Sequence, residues 1–374
     1  MRTKILHITS GLEDGGAEKT LYELIKNSPQ NENLVISLKD RGKYGTLLEK
    51  NGIKVFYFNF SFNLYALFKF YKLIKIITNI NPDIVQTWMY HANFIGGCAA
   101  YLSNSRNIFW SVHHTSLKKN LNKKTTLIIA RLNSILSYII PKKIIYCAES
   151  AKNAHIKFGF CKNKFIVIPN GIDFLKFKKS NYQRFKYRKE IGVSKHENLF
   201  GTVARFDPNK DHISLLKSIN LLRNTGLQFK YLLVGENIDY KNKILVKLIE
   251  KYNLKDIVLL LGKENRISFV MNALDLHVLS SKSEAFPLVV LEAIACDTLC
   301  ISTNVGDISK IIKNKNFIID PNNHEYLCEA IVKFNKLDYQ KKKEIKKSTY
   351  KIIKNNFSIN KMSKTYNKLY SKYL

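Results

Sequence analysis

The chain has 374 residues, enough for two domains of ordinary size, and 45% of them are apolar. It carries 61 Lys and Arg against 29 Asp and Glu, a formal net charge of +32. Six cysteines without a Cys-x-x-Cys pair exclude a zinc ribbon or a dithiol redox motif, and no run of about 18 apolar residues is present to predict a transmembrane helix.

The N-terminus runs from Met1-Arg2-Thr3-Lys4 straight into an apolar strand, without the apolar core and small-residue cleavage site of a secretory signal. Over the first 170 or so residues, short apolar runs predict strands at Lys4–Thr9, Leu34–Leu38, Lys54–Phe58, Ile84–Thr87, Asn107–Val112, Ile144–Ala148 and Phe165–Ile168. Amphipathic segments such as Ala17–Lys26 and Leu64–Ile77 fall between them. Continuously apolar strands are those of a parallel sheet buried on both faces. Alternation with helices implies βαβ units in a doubly wound sheet.

The stretch Asp173–Glu197 is polar and Lys-rich and reads as a linker. A second alternating series follows. Strands are predicted at Leu199–Ala204, Lys230–Val234, Val258–Leu261, Leu276–Leu279, Leu299–Ser302 and Phe317–Ile319, with helices at His212–Asn224, Asn242–Tyr252, Arg266–Ala273 and Leu288–Ala295. From Tyr339 onward the chain is Lys-rich, with Tyr350, Ile353 and Phe357 at helical spacing. The predicted organisation is an α/β first domain at 1–172, a linker at 173–197, an α/β second domain at 198–340, and a helical segment at 341–374 returning toward the first domain. Two such domains predict ligand binding at the carboxyl ends of the strands, which would also suit a dehydrogenase, a kinase or an epimerase.

The positive charge is uneven. Between Lys50 and Ala148 thirteen Lys and Arg accompany one acid, Asp83. A uniform compositional bias is the plain account; a surface for anionic lipid, nucleic acid or phosphorylated substrates is the other. Leu64–Ile77 sets Lys69, Lys72 and Lys75 among apolar residues, and Lys118–Lys143 carries seven Lys and Arg, no acid, and the run Leu127-Ile128-Ile129. Such segments either pack on the sheet or lie on an anionic bilayer. No nucleic-acid-binding motif accompanies the charge, so no nucleic-acid partner is expected, although a basic nucleic-acid-binding protein is the rival reading from another class.

The residues most suggestive of chemistry are Ser283-Glu284-Ala285-Phe286-Pro287-Leu288-Val289-Val290-Leu291-Glu292-Ala293. Pro287 suits the first position of a helix. Phe286 offers no side-chain oxygen for capping, so the amides of Leu288 and Val289 remain free donors at a helix start, a natural place for a diphosphate. Glu284 precedes that helix and Glu292 lies within it, so the two carboxylates flank the diphosphate position. A solvated Glu292 is the plain alternative, opposed by its apolar neighbours. Arg205 and Lys210 fall where a strand ends and the next helix begins, and two cations there can stabilise a departing diphosphate as a metal would. Their plain alternative is two surface cations in a Lys-rich chain. His113-His114 follow a predicted strand; Gly15 and Gly16 follow the first one, where glycine permits close backbone approach.

These pieces together resemble the large retaining GT-B glycosyltransferase family 4, the group 1 type. The Glu284-x7-Glu292 spacing is similar to its Glu-x7-Glu motif, and Val167-Ile168-Pro169-Asn170-Gly171-Ile172-Asp173 to its signature before the linker. Thr202 to Asp211 resembles its Arg…Lys phosphate motif, Leu232–Gly235 and Leu260–Gly262 two of its strand ends, and Gly11–Glu18 its first loop.

The resemblance implies two Rossmann-like domains facing across a cleft. It implies a retaining, metal-independent transferase without a cofactor, taking a hexosyl or N-acetylhexosaminyl group from a nucleotide diphosphate, UDP-sugar before GDP-sugar. Arg205 and Lys210 would bind the diphosphate, Glu284 the sugar, Glu292 the ribose, and Phe286, Leu288 and Val289 would line the donor site. Lys263 would lie near the base, Gly15 and Gly16 near the donor, and His113 or His114 near the sugar or acceptor. A lipid-linked oligosaccharide or surface polysaccharide is the implied acceptor, with a cytoplasmic enzyme peripheral to the inner membrane face. A nucleotide-sugar epimerase or synthase is the alternative within the fold.

Overall fold

The computed structural model describes residues 2–60, 64–115, 117 and 123–374. The first lysines of the basic segment, Lys118 and Lys119, lie outside the described residues. The chain divides into two compact units, Met1–Gly171 with Ile359–Leu374, and Ile172–Ser358.

Unit 1 alternates strand and helix: β1 (Lys4–Thr9), α1 (Gly16–Lys26), β2 (Glu32–Ser37), α2 (Gly42–Lys50), β3 (Lys54–Tyr57), α3 (Ala66–Ile80), β4 (Ile84–Trp88), α4 (Met89–Leu102), β5 (Ile108–Val112), α5 (Lys124–Leu136), β6 (Lys143–Tyr146), α6 (Glu149–Phe158) and β7 (Phe165–Val167). Its sheet runs β3-β2-β1-β4-β5-β6-β7, with every pairing parallel. Strands β4 and β5 are buried along their whole length, the polar Gln86, Thr87 and Ser111 included, so neither shows the alternation of a strand with one wet face.

Unit 2 contains α7 (Asn181–Glu190), β8 (Leu199–Val203), α8 (His212–Arg223), β9 (Lys230–Val234), α9 (Lys243–Lys251), β10 (Val258–Leu260), α10 (Ile267–Ala273), β11 (Leu276–Leu279), α11 (Leu288–Ala295), β12 (Leu299–Thr303), α12 (Ile308–Ile311), β13 (Ile318–Ile319), α13 (His324–Lys336) and α14 (Tyr339–Asn356). Its sheet runs β10-β9-β8-β11-β12-β13, again all parallel. In each sheet the order reverses once, between β1 and β4 and between β8 and β11. Those are the topological switch points, where loops from neighbouring strands part and leave room for a ligand.

Two stretches differ from the sequence expectation. The stretch Asp173–Glu197 holds helix α7 and belongs to unit 2. Arg188 is fully buried there, donating to Asp275 Oδ2 at 2.7 Å and to the carbonyl of Ala273 at 2.8 Å, so a polar sequence is tied down by ion pairs and backbone carbonyls. The stretch 341–374 is divided. Helix α14 stays with unit 2, while α15 (Ile359–Tyr370) packs into the core of unit 1 through Ile359, Met362, Tyr366, Leu369 and Tyr370. The 3-4-3-1 spacing of these residues is one helical stripe, and Tyr370 Oη donates to Gln86 Oε1 at 3.2 Å.

Candidate active site

At the switch point of unit 2 the loops after β8 and β11 lie side by side. The amide of Lys282 donates to the carbonyl of Asn209 at 2.7 Å, and Ser280 Oγ donates to the carbonyl of Lys210 at 2.8 Å. Across this seam Lys210 Nζ forms an ion pair with Glu284 Oε1, and Ser281 Oγ donates to the same carboxylate oxygen at 2.8 Å. Both partners are partly withdrawn from water, with side-chain exposures of 21% and 14%. Lys282 reaches back to Asp211 Oδ1 at 3.3 Å. Asp211 holds a left-handed backbone (φ +51°) and caps α8 by accepting from the Ser214 amide at 3.4 Å.

Two glycines on the flanking strands' loops let each of these loops be packed closely from its outer side. A Cβ on Gly235 (φ +153°), after β9, would stand 2.1 Å from the carbonyl oxygen of Ala204, and one on Gly306 (φ +58°), after β12, 2.4 Å from that of Ala285. Only a residue without Cβ lets the backbone pass at these distances.

Helix α11 opens beside this seam without a side-chain cap. Pro287 is its N-cap, one position earlier than the sequence predicts, because its ψ of 95° leaves the helical region. The helical N–H groups therefore begin at Leu288 and Val289, which keeps the concentration of donors and the positive helix end at this point. Glu292 sits inside α11 and is 4% exposed, so it is not a solvated helix residue. Phe286 is buried and packs edge-on against Phe357 at 5.2 Å.

The charges differ in readiness. Arg205 is 54% exposed and leans on Asp207 at 3.2 Å. Burial pushes the Asp207 carboxyl up, but the Asn209 amide and the Arg205 guanidinium outweigh it and hold it below the usual range. His212, stacked at a tilt on Phe206, is pushed down to about 4 by burial and by the nearby Lys210 charge. It is a neutral ring beside the cationic lysine. Lys263 is exposed and follows Gly262 at the end of edge strand β10, two strands away from β8.

In unit 1, Gly15 caps α1 after β1, and a Cβ there would meet the Glu18 carboxylate at 2.3 Å; around Gly16 nothing lies within 4 Å. His113 and His114 follow β5. The His113 ring stacks on Trp88 at 5.4 Å, both of its nitrogens are buried without a hydrogen-bond partner among the described residues, and burial pushes it down to about 4. His114 instead meets Tyr90 edge-on at 6.1 Å. Ser10, which the sequence reading passed over, accepts from the Ala92 amide at 3.2 Å and donates to the Trp88 carbonyl at 3.3 Å, bracing Met89 in a left-handed conformation (φ +72°) at the switch point.

Two sequence models match this chain: Glycosyltransferase Family 4 over residues 14–174 and Glycosyl transferases group 1 over residues 183–352. The chain belongs to the group 1 glycosyltransferases. It is 24% identical over 341 residues to the Escherichia coli UDP-Gal:alpha-D-GlcNAc-diphosphoundecaprenol alpha-1,3-galactosyltransferase, covering 88% of this chain and 86% of that protein. The Campylobacter jejuni N,N'-diacetylbacillosaminyl-diphospho-undecaprenol alpha-1,3-N-acetylgalactosaminyltransferase is 24% identical over 302 residues, 78% of each chain. The fold is that of Anabaena HepE, solved in complex with UDP and glucose, with a TM-score of 0.88 at 24% identity over 99% of this chain and 100% of that one.

This glycosyltransferase thus has the GT-B fold, two parallel-sheet α/β domains of seven and six strands. Of the residues singled out from its sequence, unit 2 brings Arg205, Lys210, Glu284 and the start of α11 to one end of one sheet. The braces that hold them, Ser280, Ser281, Lys282 and Asp211, were not singled out. Their short polar side chains are common in any loop, and only the pairing of the two loops gives them a task.

Proposed function

We propose that this glycosyltransferase is a retaining, metal-independent enzyme. It moves a hexosyl or N-acetylhexosaminyl group from a UDP-sugar to a lipid-linked oligosaccharide or another surface-polysaccharide acceptor. The observation that carries this reading is the Lys210–Glu284 pair beside the uncapped start of α11. It sets a cation and free backbone N–H groups where a diphosphate would lie, and a carboxylate within reach of the attached sugar.

In the reaction, the bond from the anomeric carbon to the diphosphate oxygen breaks as the acceptor hydroxyl attacks from the same face. The acceptor proton passes to the departing phosphate oxygen. Arg205, Lys210 and the α11 amides stabilise the charge that develops on that diphosphate, and such stabilisation commonly supplies the largest share of catalysis. Glu292 is assigned the ribose hydroxyls. His113 is assigned a hydroxyl of sugar or acceptor in preference to His114: a buried neutral imidazole keeps one donor and one acceptor, and those of His113 have no partner among the described residues.

Donor and acceptor classes rest on the two relatives, whose names specify a UDP-sugar in one case and diphosphoundecaprenol-linked acceptors in both. A GDP-sugar is the second donor to test. A membrane-facing role is supported by unit 1. Helix α4 lies between α3 and α5, and both of those helices leave large apolar side chains in water, including Leu67 (82% exposed), Phe68, Tyr71, Ile128 and Ile135. Lys75 lies over the Tyr71 ring at 4.7 Å, and Lys72, Lys124 and Arg131 share these helices. Apolar anchors among lysines suit the inner, anionic face of a membrane.

The decisive test is donor turnover in EDTA with UDP- and GDP-sugars and an undecaprenyl-diphosphate-linked sugar acceptor, with the anomeric configuration of the product read by NMR. A retained anomer formed in EDTA is expected. An inverted anomer, or activity restored only by a divalent metal, overturns the mechanism.

A further inference from the structure

Unit 2 has a second concave site at the opposite end of its sheet. A cavity of about 310 Å³ is lined by residues at or just before the amino ends of three adjacent strands: Asn198 before β8, Asp275 before β11, and Thr298 and Leu299 at the start of β12. The donor loops lie at the carboxyl ends of these same strands. Helix α11 starts beside those loops at Leu288, and its C-cap, Cys296, lines the cavity.

The cavity is richer in cations than its acids can balance. Lys179, Arg184, Lys342 and Lys346 line it, against Asp275 and Asp297. Asp275 is already committed: it accepts from Arg184 at 2.6 Å, from Arg188 at 2.7 Å and from the Leu199 amide at 2.8 Å. Asp297 Oδ2 serves both Lys179 at 2.7 Å and Lys346 at 3.6 Å. Lys342 has no carboxylate partner among the described residues. Its ammonium lies 4.6 Å from the Phe334 ring centroid, and burial pushes its pKa down although the nearby Asp275 carboxylate works the other way. A half-buried ammonium without a hydrogen-bonded carboxylate has donors left for an anion to fill.

We infer that this cavity binds a phosphorylated small molecule of the sugar-phosphate class, with its phosphate between Lys342 and Lys346. The volume falls at the lower end of the roughly 300–1,000 Å³ of small-molecule pockets and exceeds what a bare phosphate needs. The amide side chains of Asn181 and Asn198 on the wall suit sugar hydroxyls. None of these residues belongs to the donor site, so the two sites are separable by mutation.

The test is isothermal titration calorimetry of the full chain with glucose 6-phosphate, using inorganic phosphate as the size control. The Lys210→Ala background removes the phosphate lysine of the donor site. Saturable binding of glucose 6-phosphate that survives Lys210→Ala and weakens at least tenfold in Lys342→Glu is the expected result. Should Lys342→Glu fail to fold, Lys342→Gln and Lys346→Ala carry the same comparison. No saturable heat in the parent protein, loss of binding in Lys210→Ala, or an unchanged Kd in the Lys342 and Lys346 variants overturns the inference. Equal affinity for inorganic phosphate overturns the sugar-phosphate assignment.

Discussion

Acid should unfold this enzyme well before its carboxylates titrate. Burial pushes six histidines down, His91 among them, and five of them far: His7, His113, His155 and His212 to about 4 and His277 to about 3, from an ordinary 6.5. Two of the rings are also fixed as acceptors: Trp88 Nε1 donates to His7 Nδ1 at 3.3 Å, and the Val203 amide to His277 Nε2 at 3.4 Å. The unfolded chain takes up these protons below pH 6.5, and the folded chain withholds them until near pH 4. The stability they contribute is therefore whole above pH 6.5 and falls as pH drops toward 4, by about 1.4 kcal/mol per pH unit for each ring. At pH 5 the loss is roughly 2 kcal/mol per histidine, so roughly 6 in unit 1 and roughly 4 in unit 2, against a typical total of about 5–15. Circular dichroism melts between pH 7.5 and 5 measure this, and a fall in the thermal midpoint of about 10 °C or more is expected. Replacing His277 by Gln should flatten the slope for unit 2. A midpoint that stays level over this range, or imidazole proton resonances that titrate near 6.5, would refute the reasoning.

Lys210→Ala and Arg205→Ala should each lower transfer roughly 10²–10³-fold, as loss of a charge at the developing anion does elsewhere, with circular dichroism unchanged; full activity in either removes it from the mechanism. Glu284→Gln should depress kcat for transfer while leaving UDP affinity equal or tighter by calorimetry, and a matching loss of UDP affinity would contradict its assignment to the sugar. Gly235→Ala, with its Cβ 2.1 Å from the Ala204 oxygen, should cost about 3 kcal/mol of stability in denaturant titration; an unaltered midpoint would mean the loops are free to part. Leu67→Glu with Ile135→Glu should abolish co-sedimentation with phosphatidylglycerol vesicles and spare turnover of a water-soluble acceptor analogue. Equal recovery of parent and variant would dismiss the membrane face.

The parallel sheets were legible because buried strands such as β4, β5 and β8 are mostly apolar and carry no charged residue, a signal that does not depend on any neighbouring element. Helix α7 was not, because its sequence, Asn-Tyr-Gln-Arg-Phe-Lys-Tyr-Arg-Lys-Glu, is polar on nearly every face. Its place is fixed by Tyr187 and Arg188, which go inward only because Glu264 and Asp275, distant in sequence, wait there with acceptors. Helix α15 is equally lysine-rich, and its buried stripe shows only once Tyr366 and Tyr370 are seen against Trp88 and Phe109. At the candidate site, the motif residues were readable one by one. That Phe286 belongs to the core, and that His113 rather than His114 keeps unsatisfied nitrogens, depend on which side of the chain faces the sheet, and a pair of adjacent identical residues carries no sign of that.

The resting ion pair bears on how the donor is recognised. A partly buried lysine left alone would hold its charge at a cost, and a partly buried glutamate likewise; paired, each keeps the other in place before any ligand arrives. A diphosphate brings more negative charge than one carboxylate and can take over Lys210. Glu284 then keeps the hydrogen bond from Ser281 and has a lone pair to spare, which the hydroxyls of the attached sugar can fill as donors. On the proposed assignment of Lys210 to the diphosphate and Glu284 to the sugar, both would be recognised in one exchange. A nucleotide without its sugar would separate the pair and leave the carboxylate short of a partner, while the full donor satisfies both halves. The neighbouring His212 adds no charge to this exchange, because burial and the Lys210 ammonium keep its ring neutral.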